Sequence, residues 1–155
     1  MHYIINHIKI NIGISLFLVF SILITTNAYS EKSAEETIKS RKALFSKNYS
    51  TAKRVQAFSS SGKFDKAKKL MLEMSENYKK LLIMFPENTK DGFKTEALPA
   101  IWEDKKAFND LMVQSSNNMI KLADTIETTE DLSSTIKSLM WGSCKACHNK
   151  YRAEH

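Results

Sequence analysis

The sequence predicts an all-α protein, an antiparallel up-down-up-down bundle of four helices. The 155 residues include only 4 Gly and 2 Pro, whereas average usage of these two residues is about 12%. So few turn-forming residues argue against a β-sandwich or barrel. With 43% hydrophobic and 26% charged residues, the composition is that of a globular protein. The apolar residues recur at intervals of three and four, which is the period of an amphipathic helix.

The first thirty residues have the composition of a targeting segment. Lys9 is their only Lys or Arg, no acid occurs among them, and an apolar stretch covers residues 10–24. A weakly positive start, an apolar run and small residues at Ala28 and Ser30 predict a secretory signal peptide, residues 1–30, cleaved after Ser30. Cleavage after Ala28 is the alternative. An uncleaved membrane anchor is disfavoured because a span needs roughly 20 apolar residues. Export predicts a periplasmic protein without a membrane anchor after cleavage.

The remaining residues, 31–155, are predicted to form one domain. Gly62 suits the left-handed backbone that follows a helix, and it closes the first segment. Pro86 ends the second segment, because the residue before a proline avoids helical backbone, while Pro99 suits the first turn of the third. The hydroxyl and acidic residues at 128–131 predict the start of the fourth. The four predicted helices cover residues 33–60, 63–85, 99–126 and 132–151.

One short motif predicts the chemistry of the protein. Residues 144–148 read Cys-Lys-Ala-Cys-His, which is the C-x-x-C-H pattern of covalent haem attachment. Two thiols three residues apart on a helix, Cys144 and Cys147, can reach the two vinyl groups on one side of a porphyrin. His148 lies one turn after Cys144, so its imidazole can serve as the axial ligand of the iron. The motif predicts one covalently attached haem c.

A zinc site, a redox pair and a simple disulfide each fit the motif less well. A structural zinc site needs four ligands, and combining the motif with His155 gives a spacing that zinc sites do not use. A thioredoxin-like redox pair expects a βαβ neighbourhood, which the sequence lacks. A disulfide between Cys144 and Cys147 would leave His148 without a purpose.

The domain resembles the class II c-type cytochromes, which are cytochrome c′ and its low-spin relatives, a family of four-helix bundles. The haem motif near the C-terminus is the feature that separates this class from cytochromes with the motif near the N-terminus. The resemblance covers nearly all of the chain after the signal peptide. It rests on Ile-Lys-Ser-Arg-Lys-Ala-Leu-Phe at 38–45, Gly-Lys-Phe-Asp at 62–65, Leu-Phe-Pro near 86, Ala-Leu-Pro-Ala-Ile-Trp at 97–102, Phe108, and Cys-Lys-Ala-Cys-His-Asn-Lys-Tyr-Arg at the end.

The resemblance implies further haem contacts. Arg41 matches an arginine that the family places near a haem propionate, and a guanidinium suits a carboxylate; a solvated arginine is the alternative. Lys42 stands where relatives often have Gln. Glu96 falls at the expected haem edge, unless it is an ordinary loop acid. Arg152 resembles the basic residue beside the proximal histidine, although a solvated cation at a helix C-terminus is an equal alternative. The resemblance also identifies the thioether cysteines and the proximal ligand as Cys144, Cys147 and His148.

Phe45 is the position that bears on function. In low-spin members of the family a methionine at this place binds the iron, and phenylalanine has no lone pair to donate. The resemblance therefore implies a five-coordinate, high-spin iron whose apolar sixth site admits small gases such as NO. The alternative is a six-coordinate, low-spin electron carrier that shuttles electrons between periplasmic redox partners. No nucleophile–base arrangement is visible, so we expect no enzymatic activity beyond iron redox chemistry.

The chain carries a formal net charge of +6, and its lysines cluster on the second predicted helix. Such a cluster is either a docking face for an acidic redox partner or the solvated face of an amphipathic helix. An exported protein with no nucleic-acid motif is not expected to bind nucleic acid. The sequence leaves open whether the first two helices pair into the homodimer that is common in the family.

Overall fold

The computed structural model describes residues 33–154, and its regular elements are helical. The predicted signal peptide lies outside these residues. Four arms form an up-down-up-down bundle, as the sequence predicts, and no helix within 33–154 has the length and apolar character needed to cross a membrane. The arms are α1 (Ala34–Ser60), α2 (Phe64–Leu81), α3 with α4 (Ala100–Glu103 and Lys105–Thr125), and α5 (Leu132–Ile136), a π-helical segment (Lys137–Trp141) and α6 (Gly142–Tyr151).

Both ends of α1 follow from local chemistry. The Ser33 hydroxyl accepts a hydrogen bond from the backbone N–H of Glu36 at 3.2 Å, and the Glu36 carboxylate accepts one from the Ser33 N–H at 3.3 Å. This reciprocal arrangement satisfies two amides that a helix start leaves without partners. Beyond the C-terminus, Gly62 has a φ of 68°, which confirms the predicted left-handed position.

The second helix is shorter than predicted, because α2 ends at Leu81 and not at Phe85. The carbonyl oxygens that follow it are bound by side chains from elsewhere. The Met84 oxygen accepts from Arg41 Nη1 at 3.2 Å, and the Phe85 oxygen accepts from Trp102 Nε1 at 3.1 Å and from Lys105 Nζ at 2.8 Å. These long-range partners bind carbonyls that the end of a helix leaves without intrahelical donors, and the sequence pattern alone does not reveal them.

Asp104 interrupts the predicted third helix. Its carboxylate accepts from the Ala107 N–H at 3.0 Å, which makes it the N-cap of α4 and separates that helix from the short α3. The fourth arm begins at Leu132, as predicted, but its cap is not a hydroxyl. Asp131, not Thr128 or Thr129, caps α5 by accepting from the Ser134 N–H at 2.9 Å. Aspartate is among the best N-cap residues, and in both places it fixes the helix start.

The core lies along α2, which packs against both α1 and α4. Its largest fully buried side chains include five methionines together with isoleucine, leucine and phenylalanine. The five methionines are Met71, Met74, Met112, Met119 and Met140.

The helices α1 and α6 belong to neighbouring arms but make almost no direct contact. A cavity occupies the space between them.

Candidate functional site

The cavity between α1 and α6 has a volume of about 840 Å³, which is within the usual range for cofactor pockets. One wall comes from α1, and the facing wall comes from the end of the π-helical segment, from α6 and from the residues just after it. The structure places every site residue predicted from the sequence on these walls or at their rim. These residues are Arg41, Lys42, Phe45, Glu96, Cys144, Cys147, His148 and Arg152.

The haem-attachment motif lies on α6. Cys144 and Cys147 are free, half-buried thiols that both line the cavity, because residues three apart on a helix share a face. Burial raises the pKa of the Cys147 thiol to about 11, with a further contribution from Cys144. Burial also raises the pKa of Cys144, although a hydrogen bond with Tyr78 opposes the increase. His148 lines the same cavity and is exposed at its opening.

The π-helical segment just before α6 brings an aromatic side chain to the cavity. Within it, Met140 is fully buried in the core, while its neighbour Trp141 lines the cavity. Trp141 donates from Nε1 to the Gln56 Oε1 of α1 at 3.1 Å, and its ring contacts Tyr49 edge-on with centroids 6.1 Å apart. Single π-helical turns are often found at functional sites. Here the turn links the two walls of the cavity at one end.

Arg41 is buried, with only 2% of its surface exposed, so the alternative of a solvated arginine is wrong. Its guanidinium donates to Thr89 Oγ1 at 2.8 Å, to the Thr89 carbonyl at 3.0 Å and to Thr95 Oγ1 at 2.6 Å. It also lies 4.5 Å from the centroid of the Phe85 ring. Burial lowers the pKa of Arg41 to about 10. A buried cation held by neutral acceptors at a cavity wall is a favourable neighbour for an anionic group.

Glu96 connects two basic residues at the rim. Its carboxylate accepts from Arg152 Nε at 2.9 Å and lies 3.9 Å from Lys42 Nζ. Backbone hydrogen bonds support this arrangement, with the Leu98 N–H donating to the Tyr151 carbonyl at 3.1 Å. Arg152 has extended backbone and follows the last helical residue. Both residues line the cavity and are paired with each other, while over a third of each side chain stays exposed.

Phe45 is a half-buried residue of the α1 wall whose ring contacts that of Phe85 at 6.4 Å. None of the methionines within residues 33–154 lines the cavity. Five of them are buried in the core, and Met84 packs against the core from the loop after α2. Among the described residues, therefore, the cavity has no thioether that could bind an iron.

Tyr78, Asn48 and Trp141 also line the cavity, although no sequence pattern marks them as site residues. Tyr78 follows the apolar stripe of α2, which identifies it only as a core residue. A buried tyrosine hydroxyl usually has a hydrogen-bond partner, which is the one signal that could have marked it. Its partner, Cys144, is 66 positions away in the chain, so no local pattern connects them.

A metal site built from side chains alone has no support within residues 33–154. No group of three or more His, Cys, Asp or Glu residues there could hold a metal ion. His155, which the zinc alternative requires, lies outside the described residues.

Comparison with known proteins identifies the family. A family model described as Cytochrome C′ matches residues 36–152. The chain belongs to the cytochrome c′ family. It is 34% identical over 122 residues to cytochrome c′ of Rhodopseudomonas palustris, covering 77% of this chain and 83% of the relative. It is also 38% identical over 71 residues to cytochrome c′ of Rhodospirillum rubrum, covering 45% of this chain and 48% of the relative.

Solved structures agree with this family assignment. The solved structure of Rhodopseudomonas palustris cytochrome c′ superposes with a TM-score of 0.63 at 30% identity, covering 76% of this chain and 96% of that one. Cytochrome c′ from Thermochromatium tepidum superposes with a TM-score of 0.69 at 22% identity, covering 81% and 100%. Because its sequence identity is only 22%, the second superposition shows a shared fold alone.

Cytochromes c′ bind covalently attached haem c with iron, and haem c is the cofactor of this chain. The residues present fit such a group. The cavity offers two free thiols one helical turn apart and an imidazole beside them. It also has aromatic walls from Phe45, Phe85, Phe108 and Trp141.

Proposed function

We propose that this protein is a periplasmic monohaem cytochrome whose iron is five-coordinate and high-spin, binds small gases such as NO and undergoes one-electron redox. The observation that carries the proposal is the position of Phe45 on the α1 wall of the cavity, together with the absence of a cavity-lining methionine within residues 33–154. His148, on the facing wall, would be the protein ligand. When bound, haem c supplies an iron that exchanges one electron and binds diatomic gases.

The side chains around the cavity divide the remaining tasks. Cys144 and Cys147 would hold the macrocycle on α6 through thioethers. Arg41, a buried cation facing the cavity, would attract a haem propionate, and Lys42 with Arg152 would add positive charge at the rim. Phe45 and Phe85 would keep water away from the iron on the α1 side. An apolar, water-poor site of this kind favours small neutral ligands over anions, because burying an uncompensated charge is costly.

The same proposal covers location and partners. We infer that residues 1–30 are a cleaved export signal, that residues 31–155 form the haem domain, and that no membrane anchor remains after cleavage. The chain would act as a gas binder whose iron undergoes one-electron redox, and not as an enzyme. Its partners would be a diatomic gas or a periplasmic redox protein, with no nucleic acid.

The absorption spectrum of the purified protein tests this function. We expect the dithionite-reduced protein to show a broad high-spin Soret band without a sharp α band, and we expect this spectrum to change on addition of NO. Sharp α and β bands that do not respond to NO would instead indicate a sixth protein ligand and an electron carrier. Failure of NO to bind the reduced protein would remove gas binding from the proposal.

A further inference from the structure

A buried amide pair lies between α1 and α2 beside the cavity. Asn77 Nδ2 donates to Asn48 Oδ1 at 2.8 Å, and both residues are buried, with 2% and 4% of their surface exposed. This hydrogen bond occupies the carbonyl of Asn48. Asn48 Nδ2 has no partner within hydrogen-bond distance. A buried donor without a partner costs about 1–3 kcal/mol, so its position calls for an explanation.

Tyr78 is a polar neighbour of that amide. Like Asn48 it lines the cavity, and its hydroxyl lies 3.9 Å from the Sγ of Cys144. Burial raises the pKa of the Tyr78 hydroxyl. The nearby Cys144 and Cys147 raise this pKa further, and the Asn48 side chain opposes the increase in part. The phenol therefore stays protonated at any ordinary pH. It has one hydrogen to donate, and the direction of that hydrogen is decided by its neighbours.

The contact with Cys144 has a defined direction once haem is attached. The NH₂ group of Asn48 can only donate, so it offers the hydroxyl hydrogen no acceptor. The Cys144 sulfur, 3.9 Å from the hydroxyl oxygen, can accept that hydrogen. Attachment of haem adds the thiol across a vinyl group, so that a carbon–sulfur bond forms and the thiol hydrogen moves to the vinyl group's other carbon. The resulting thioether sulfur has no hydrogen and can only accept.

We propose that Tyr78 is a positioning residue that donates a hydrogen bond to the Cys144 thioether sulfur. No described residue donates a hydrogen bond to Cys147, so the two thioethers become chemically unequal. A donor at one sulfur withdraws electron density from that edge of the macrocycle, and outer-shell hydrogen bonds of this kind tune a haem's reduction potential. The inference rests on covalent haem attachment and not on the coordination number of the iron.

The experiment uses haem-loaded protein and two readouts that a structural role alone would not change. Resonance Raman spectra report the two thioether C–S stretching bands, and spectroelectrochemistry reports the reduction potential. In Tyr78→Phe, which keeps the ring and removes the hydroxyl, we expect one C–S band to shift and the reduction potential to fall. Ser75→Ala is the control, since it removes a buried hydroxyl of α2 that bonds Ser116 at 2.8 Å outside the cavity; it should change neither readout.

An isotope measurement on the unsubstituted protein keeps the test independent of how the variant folds. After full exchange into D₂O, one of the two C–S bands should shift and the other should not, and Tyr78→Phe should abolish the difference. Two D₂O-insensitive bands, or an unchanged reduction potential in Tyr78→Phe, would overturn the proposal. NO binding need not change, so failure here is distinguishable from failure of the proposed function.

Discussion

Arg152 Nε donates to Glu96 Oε2 at 2.9 Å and so ties the end of α6 to the loop that precedes α3. The backbone bonds the same two segments, with the Ala153 N–H donating to the Glu96 carbonyl at 2.9 Å. This connection holds the rim of the cavity on the side of the motif. It joins parts of the chain that no single helix would bring together.

Glu96→Gln should lower the free energy of unfolding of the haem-loaded protein by less than about 1 kcal/mol, because exposed ion pairs contribute little. The Glu96 and Arg152 side chains are 35% and 38% exposed, so salt screens their attraction. Urea unfolding at low salt and in about 1 M NaCl measures the free energy of unfolding that the variant loses. This deficit should shrink at high salt. Glu35→Gln removes a pair within α1 and is the control for loss of charge. A deficit that does not respond to salt would contradict the prediction.

Arg41→Met should be strongly destabilising, by about 3 kcal/mol or more, because it removes several buried hydrogen bonds and leaves their acceptors without donors. Thr89, which accepts two of these bonds, is fully buried. Arg41→Lys should recover only part of the loss, since an ammonium cannot reproduce the guanidinium fork. Arg54→Met, at an exposed position of the same helix, is the matched control. Urea unfolding curves for all three variants should rank Arg54→Met as the most stable.

Phe45→Met should convert the iron toward six-coordinate, low-spin character, because a thioether on the α1 wall could bind from the side facing away from His148. The absorption spectrum of the reduced variant should gain sharp α and β bands, and its affinity for NO should fall. Phe58→Met is the control, since Phe58 also lies on α1 but packs against the core outside the cavity. If Phe45→Met and Phe58→Met give the same spectrum, Phe45 does not face the iron.

Replacing Gly62 or Gly142 with alanine should change the stability of the protein in opposite directions. Gly62 has a φ of 68°, where a Cβ costs about 1–2 kcal/mol of strain even in open space. Gly142 begins α6 with helical backbone, and a Cβ there would meet only the Lys137 carbonyl at an ordinary 3.5 Å. Gly142→Ala should therefore stabilise by up to about 1 kcal/mol, since alanine is the better helix former. Thermal unfolding of both variants gives the comparison, and a destabilised Gly142→Ala would show that the backbone of α6 needs its glycine.

The four arms of the bundle and the helix that carries the haem-attachment motif could be predicted from the sequence. Apolar residues at helical spacing identify the buried face of each arm, and Gly62 and Pro86 mark turns through their own backbone limits. The Cys144–His148 motif identifies the chemistry because its spacing is itself the geometric requirement. These are local features, and local features can be seen in a sequence.

What the sequence did not reveal depends on contacts between distant residues. The carbonyls of Met84 and Phe85, just after α2, accept hydrogen bonds from Arg41, Trp102 and Lys105. No local pattern near Leu81 indicates these partners. Tyr78 follows a core stripe and yet faces Cys144 across the bundle. Asp104 looks like any polar surface residue, although it caps a helix. Each case requires the tertiary arrangement before the role of the residue is visible.

The position of both cysteines on one turn of α6 has a consequence for how the cofactor stabilises the fold. A covalent bridge restricts the unfolded chain more strongly the longer the loop that it closes. Thioethers from Cys144 and Cys147 to one macrocycle close a loop of a few residues, so they cross-link no distant segments. The bound group would therefore strengthen the bundle through noncovalent contacts with the other walls of the cavity, α1 above all. On heating or in denaturant, the haem should stay attached to α6 while α1 separates from it.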